Sequence, residues 1–77
     1  MIKVIFKSVL KDFSPGKKEV IEVEHREEMT VAKLLSSLGM NYGQAEVVLV
    51  DGELIKDRSY KLNDGAVVEL YPLFGGG

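Results

Sequence analysis

Apolar and polar residues alternate from the start of the chain. Ile2, Val4 and Phe6 fall on one side of an extended backbone, with Lys3, Ile5 and Lys7 on the other. A period of two, traced over residues 1–10, predicts a half-buried β-strand. Ser14-Pro15-Gly16, within residues 11–18, marks a turn or loop. In the stretch 19–24, Ile21 and Val23 take the inner side and Glu22 and Glu24 meet water, which predicts a second strand. Two sequential strands this close form a hairpin by default.

The period then changes. Val31, Leu34, Leu35 and Leu38 recur at i, i+3, i+4 and i+7, a single apolar stripe that predicts a helix over 30–38. Thr30 can cap its first turn, Met29 and Leu34 occupy the two staple positions, and Gly39 suits the left-handed residue beyond the end. Lys33 stands where the Glu of a capping box would be preferred. Asn41-Tyr42-Gly43-Gln44 reads as loop, and 46–50 as a third strand. Asp51-Gly52 signals a tight turn into a short fourth segment, 53–55. Residues 56–62 read as irregular. Asn63-Asp64-Gly65 is another turn, and the last strand, 66–71, is stopped by Pro72, which has no N–H to give a ladder.

The order ββαβ(β)β carries one amphipathic helix, enough to cover one face of a four- or five-stranded mixed sheet and leave the other to solvent. The pattern alone admits several α+β arrangements. Joining the first and last strands as parallel central neighbours gives, by analogy, a β-grasp, the ubiquitin-like fold. The expected organisation is one domain over 1–77 with a flexible glycine tail at 75–77.

Length and composition narrow what such a domain can do. At 77 residues there is no room for a second domain, and a chain this short buries only about 60% of its unfolded surface. A hydrophobic fraction of 45% argues against disorder. The net charge of −2, with Glu19, Glu22, Glu24, Glu27 and Glu28 interleaved among the lysines, leaves no basic stripe for direct nucleic-acid binding. No apolar run is long enough to span a membrane, and the opening residues read as a strand rather than a signal peptide. The absence of cysteine rules out disulfides, thiolate metal sites and thiol catalysis, and fits a reducing cytoplasm.

Chemistry concentrates at the far end, where Gly75-Gly76-Gly77 follows Leu70-Tyr71-Pro72-Leu73-Phe74 with almost no spacer. Three residues without Cβ make a narrow thread that enters a crevice closed to any side chain. A carboxylate with no bulk beside it suits conversion to an acyl adenylate in another protein's active site. The plain alternative is a frayed terminus, though a random linker would usually bring Ser, Glu or Lys first. His25, the single histidine, has no Cys, Ser or carboxylate partner at a useful spacing and reads as a surface residue before the helix. Asp51, Asp57 and Asp64 sit at turns, where Asp is favoured for local hydrogen bonding. No metal site and no catalytic constellation is expected.

The element order and this ending resemble the ubiquitin-like sulfur carriers of the MoaD/ThiS family, with the ubiquitin-related modifiers. The likeness covers essentially the whole chain. It lies in Ile2-Lys3-Val4-Ile5-Phe6, in Val50-Asp51-Gly52-Glu53, and most specifically in Leu62-Asn63-Asp64-Gly65, Val68-Glu69-Leu70-Tyr71-Pro72 and the closing Gly76-Gly77. Ala66 replaces the acidic residue common after the Asp-Gly turn, and Leu73-Phe74-Gly75 intervenes before the diglycine.

The resemblance implies a carrier rather than an enzyme. Gly77 would be adenylated by an activating enzyme using ATP and Mg²⁺, and a sulfur donor would make the thiocarboxylate. Gly75 and Gly76 would thread the active site, and a sulfur-accepting synthase or thiolase would take the sulfur. The destination is molybdopterin or tungstopterin, thiamine, or transfer-RNA thiolation. Two rivals remain: a protein modifier joined through Gly77 to target lysines, and an interaction module whose tail is never activated. The free chain is expected to be a cytoplasmic monomer with no cofactor of its own. Strand alternation places Ile5, Val67 and Tyr71 on the face opposite the core, as candidates for partner binding along with Leu73 and Phe74 where the tail leaves the domain.

Overall fold

A computed structural model describes residues 1–40 and 45–72. The chain forms strands β1 (Ile2–Phe6), β2 (Val20–Val23), β3 (Val47–Val50), β4 (Glu53–Ile55) and β5 (Val67–Tyr71), with one α-helix, α1 (Val31–Ser37), between β2 and β3. All five strands lie in one sheet, ordered β2-β1-β5-β3-β4. β1 pairs with β5 in parallel, and the other neighbouring pairs are antiparallel. This is a mixed five-stranded sheet with one helix, the expected β-grasp.

Alternation decides which face is buried. Ile2, Val4 and Phe6 of β1, Val48 and Val50 of β3, and Val68 and Leu70 of β5 point into one core with Val31, Leu34 and Leu35 of α1. Ile21 and Val23 of β2 and Ile55 of β4 close its edges. Among the described residues no helix lies on the opposite face.

Two details of the early chain differ from the sequence expectation. The first strand stops at Phe6 rather than running to residue 10, because Ser8 takes a positive φ of 56° and turns the backbone out of the sheet. A 3-10 helix, Ser8–Phe13, then seats Leu10 in the core. A second short one, Pro15–Lys17, follows, so β1 and β2 pair as a hairpin but are joined by a folded connection rather than a simple loop. Buried Ser14 holds the bend, its Oγ within hydrogen-bond distance of the Lys11 and Lys18 carbonyl oxygens.

The helix is closed at both ends by the signals its sequence carries. Thr30 Oγ1 accepts from the Lys33 N–H at 3.1 Å. Gly39, at φ +73°, permits the left-handed turn in which Gly39 N–H donates to Ser36 O and Met40 N–H to Leu35 O. That pair of bonds is the Schellman arrangement, and Met40 is buried beside it. Two further N-terminal donors find partners that propensity does not indicate. Val31 N–H reaches Tyr60 O at 3.0 Å and Ala32 N–H reaches Arg58 O at 2.9 Å. The irregular stretch before Leu62 thus supplies acceptors that a free helix would take from water.

That stretch is itself pinned. Arg58 donates through its guanidinium to Ala45 O and Glu46 O at the entry to β3. Asp57 accepts from the hydroxyl and N–H of Ser59, and those bonds hold its carboxyl below the usual carboxylate range. His25 is half-buried rather than a plain surface residue: Nε2 donates to Leu62 O at 2.9 Å, tying the pre-helix loop to the segment leading into β5. The loop expected at residues 41–44 lies outside the described residues. Thr30→Ala should lower unfolding free energy by about 1 kcal/mol in urea denaturation with the m-value unchanged. A loss near zero would mean that the loop carbonyls alone hold the helix start.

Candidate functional site

Strands three and five carry apolar side chains on both faces, so the uncovered face of the sheet is not a polar one. Register sets its central line. Ile5 stands opposite Val20 on one side and Glu69 on the other, and Leu49 stands opposite Glu69 and Leu54. The row Val20, Ile5, Glu69, Leu49, Leu54 therefore crosses all five strands, a span of roughly 19 Å at the usual strand spacing. Its outer members are open to solvent, Val20 at 44% and Leu54 at 53% of full exposure. Ile5 and Leu49 are half-buried by their neighbours.

Ile5, Val67 and Tyr71 take the positions the alternation assigns them, on the open face and half-buried. Tyr71 ends β5 opposite Val47 of β3. Lys7 follows β1, and its N–H donates to Leu70 O at 2.9 Å, so the parallel ladder continues to the point where the chain leaves the sheet. The tail residues Leu73, Phe74, Gly75, Gly76 and Gly77 lie outside the described residues, but the direction of β5 is settled. It runs beside β1 and hands the chain on at the end occupied by Lys7, Tyr71 and the half-buried Pro72.

A polar cluster occupies the middle of this surface. Tyr71 Oη donates to Glu69 Oε2 at 3.3 Å, Lys7 Nζ lies 3.7 Å from the same oxygen, and Lys7 Nζ sits 5.9 Å from the centroid of the Tyr71 ring. The cluster orients Tyr71 as well as neutralising part of the carboxylate charge. At solvent contact such an ion pair adds little stability.

Val20, Val47, Leu49, Leu54 and Glu69 are members that sequence reasoning missed. Two signals were present: the unbroken apolar run Val47-Val48-Leu49-Val50, too apolar for a strand with a wet face, and an acidic residue interrupting Val67-Val68-Glu69-Leu70-Tyr71. Neither says which strands lie side by side, and only adjacency makes a row of them.

Asp51 does more than shape its turn. It and Gly52 have φ of 50° and 86°, as a type I′ hairpin requires. Its carboxylate also accepts from Val67 N–H at 2.9 Å, and its own N–H donates to Val67 O at 2.8 Å, fastening the β3–β4 hairpin to the start of β5. At that end of the sheet, away from Tyr71, a groove of about 480 Å³ is lined by Val23, Glu24, Arg26, Glu27, Met29, Lys33 and Ser37. Its charges are of both signs, and the Ser37 hydroxyl donates to the Leu34 carbonyl oxygen at 2.8 Å. Among the described residues no helix is long and apolar enough to cross a membrane.

The two faces of β5 can be told apart by stability. Leu70→Ala, in the core, should cost about 2–5 kcal/mol in denaturant unfolding. Tyr71→Ala, on the open face, should cost roughly 1–2 kcal/mol and leave the fold intact by far-UV circular dichroism. Equal losses would mean that Tyr71 is part of the core.

Compared with models of known families, residues 11–77 match that of the ThiS family. A comparison with curated proteins gives no match.

Proposed function

The chain belongs to the ThiS family, whose members are small sulfur carriers and not themselves enzymes, and we propose that it carries sulfur as a thiocarboxylate on Gly77. The observation that carries this reading is the extent of the family match, which includes Gly75-Gly76-Gly77 as well as the folded body. The absence of cysteine supports it, since no side chain offers a thiol to hold the sulfur.

The chemistry asked of the terminus is simple. A free carboxylate is a poor electrophile. Attack of its oxygen on the α-phosphorus of ATP, in a partner enzyme that holds Mg²⁺, expels pyrophosphate and leaves a mixed anhydride with AMP. A sulfur nucleophile from the donor then adds to the carbonyl carbon and AMP departs. The tail contributes slenderness and reach, while the folded body supplies what three glycines lack, a surface by which the activating enzyme and the sulfur-accepting enzyme recognise it. We assign that surface to the open sheet face around Ile5, Val67 and Tyr71, continuing toward Leu73 and Phe74. It is the apolar surface contiguous with the point where the tail leaves the sheet, and aromatic residues are enriched at such contacts. The acceptor is a molybdopterin or tungstopterin precursor, the thiamine precursor, or transfer RNA. Conjugation to lysines is the rival use of the same activated terminus.

Deleting Gly77, or extending the chain with a C-terminal tag, should abolish ATP–pyrophosphate exchange by the activating enzyme with the thermal melt unchanged. Exchange that persists at the full rate would overturn the reading. The full-length chain, recovered from cells with an N-terminal tag only, should show the mass change of one oxygen replaced by sulfur. A ladder of lysine-linked adducts with no thiocarboxylate would favour the modifier.

A further inference from the structure

The row across the open face is apolar at four of its five positions and carries a carboxylate at the fifth, on the middle strand. Glu69 is flanked in register by Ile5 and Leu49, and its side chain keeps only 23% of its exposure. A surface meant to stay wet has no need of leucine and isoleucine there, and a surface meant only to be dry has no need of glutamate. An ionised carboxylate offers about four acceptor sites. Covering it without donors is strongly unfavourable.

The chain satisfies this carboxylate only in part. Tyr71 Oη approaches Oε2 at 3.3 Å, long for a hydroxyl donor, and Lys7 Nζ stands 3.7 Å from that same oxygen. Oε1 has no partner among the described residues. A carboxylate oxygen open to solvent is otherwise satisfied by water. A partner that excludes the water has to bring a donor of its own.

We infer that the protein partner covering this face presents a cationic side chain, with the geometry of an arginine guanidinium, to Glu69 at the centre of an otherwise apolar patch. This rests on the docking role given above to the open face. The charge has its complement in the partner because Lys7 touches Oε2 alone and is itself partly solvated, at 36% exposure. A guanidinium supplies two parallel donors, one for each carboxylate oxygen, and its planar head tolerates apolar surroundings better than an ammonium. The same group gives selectivity: an apolar partner without the cation would trap Oε1 dry and be rejected. Ile5, Leu49, Val20 and Leu54 supply contact area, and Glu69 decides which partner may use it.

The test is calorimetric titration of the full chain against the adenylating enzyme that supports pyrophosphate exchange, at low and high salt, with thermal melts to show that each variant folds. Glu69→Gln and Glu69→Leu should each weaken binding roughly thirtyfold or more. The wild type should lose affinity with salt more steeply than Glu69→Leu. Lys7→Met should stay within about fivefold of wild type. Glu69→Leu binding as tightly as wild type, while Leu49→Ser in the same row weakens it, would overturn the cation and leave the docking face standing. A loss in Lys7→Met equal to that in Glu69→Gln would also overturn it, by making Lys7 the group the partner reads. If neither Glu69→Leu nor Leu49→Ser changes affinity, the face is not the docking surface and the inference falls with it. The carrier reading is judged apart from this, by the Gly77 deletion.

Discussion

The parallel pairing of β1 with β5 is the constraint on which everything else depends. It joins residues near the start of the chain to residues more than sixty positions later, Val4 beside Val68 and Phe6 beside Leu70. Closing so long a loop costs conformational entropy that no local contact returns. The return comes from burial, since both strands are central and every inward residue of each is in the core. A slip of one residue in this pairing would turn Val68 and Leu70 to solvent and Glu69 into the core, so the register is strongly specified.

Everything between those strands serves the same pairing. The 3-10 segment after β1 seats Leu10 in the core. The helix covers the buried face, and its first turn leans on carbonyls of Arg58 and Tyr60 in the approach to β5. His25 and Asp51 fasten the same approach from two sides, through Leu62 O and Val67 N–H. A stretch with no regular structure is thereby tied to the elements around it. β5 then runs out beside the end of β1, the direction that the proposed carrier role asks of the domain.

The two faces of the sheet differ in chemistry. One is closed by α1 with aliphatic side chains in full contact. The other is apolar along a line yet holds a carboxylate, a lysine and a tyrosine at its middle. Glu69 interrupts the apolar line at its middle, and Val20 and Leu54 stand exposed at its edges rather than in one broad patch. Under the docking role proposed for this face, the mixture is a condition on the partner's chemistry.

Much of the local structure was legible in the residues themselves. Period two in Ile2-Lys3-Val4-Ile5-Phe6, period 3.6 in Val31, Leu34, Leu35 and Leu38, the Thr30 cap, Gly39 and Asp51-Gly52 each act over a few residues, where sterics and hydrogen bonding are local. They place the strands, the helix, its ends and the inner face, and with them Ile5, Val67 and Tyr71 on the outer one. The extra turns after Phe6 were hidden, because Ser8 at positive φ is imposed by the need to seat Leu10 and not by serine's own preference. The contact of His25 with Leu62 O, and those of the loop carbonyls with the helix start, join distant segments and leave no mark in spacing. The row from Val20 to Leu54 is of the same kind. Its side chains are set by sequence, but their adjacency is set by strand order and register, which arise only when the whole sheet closes on one core.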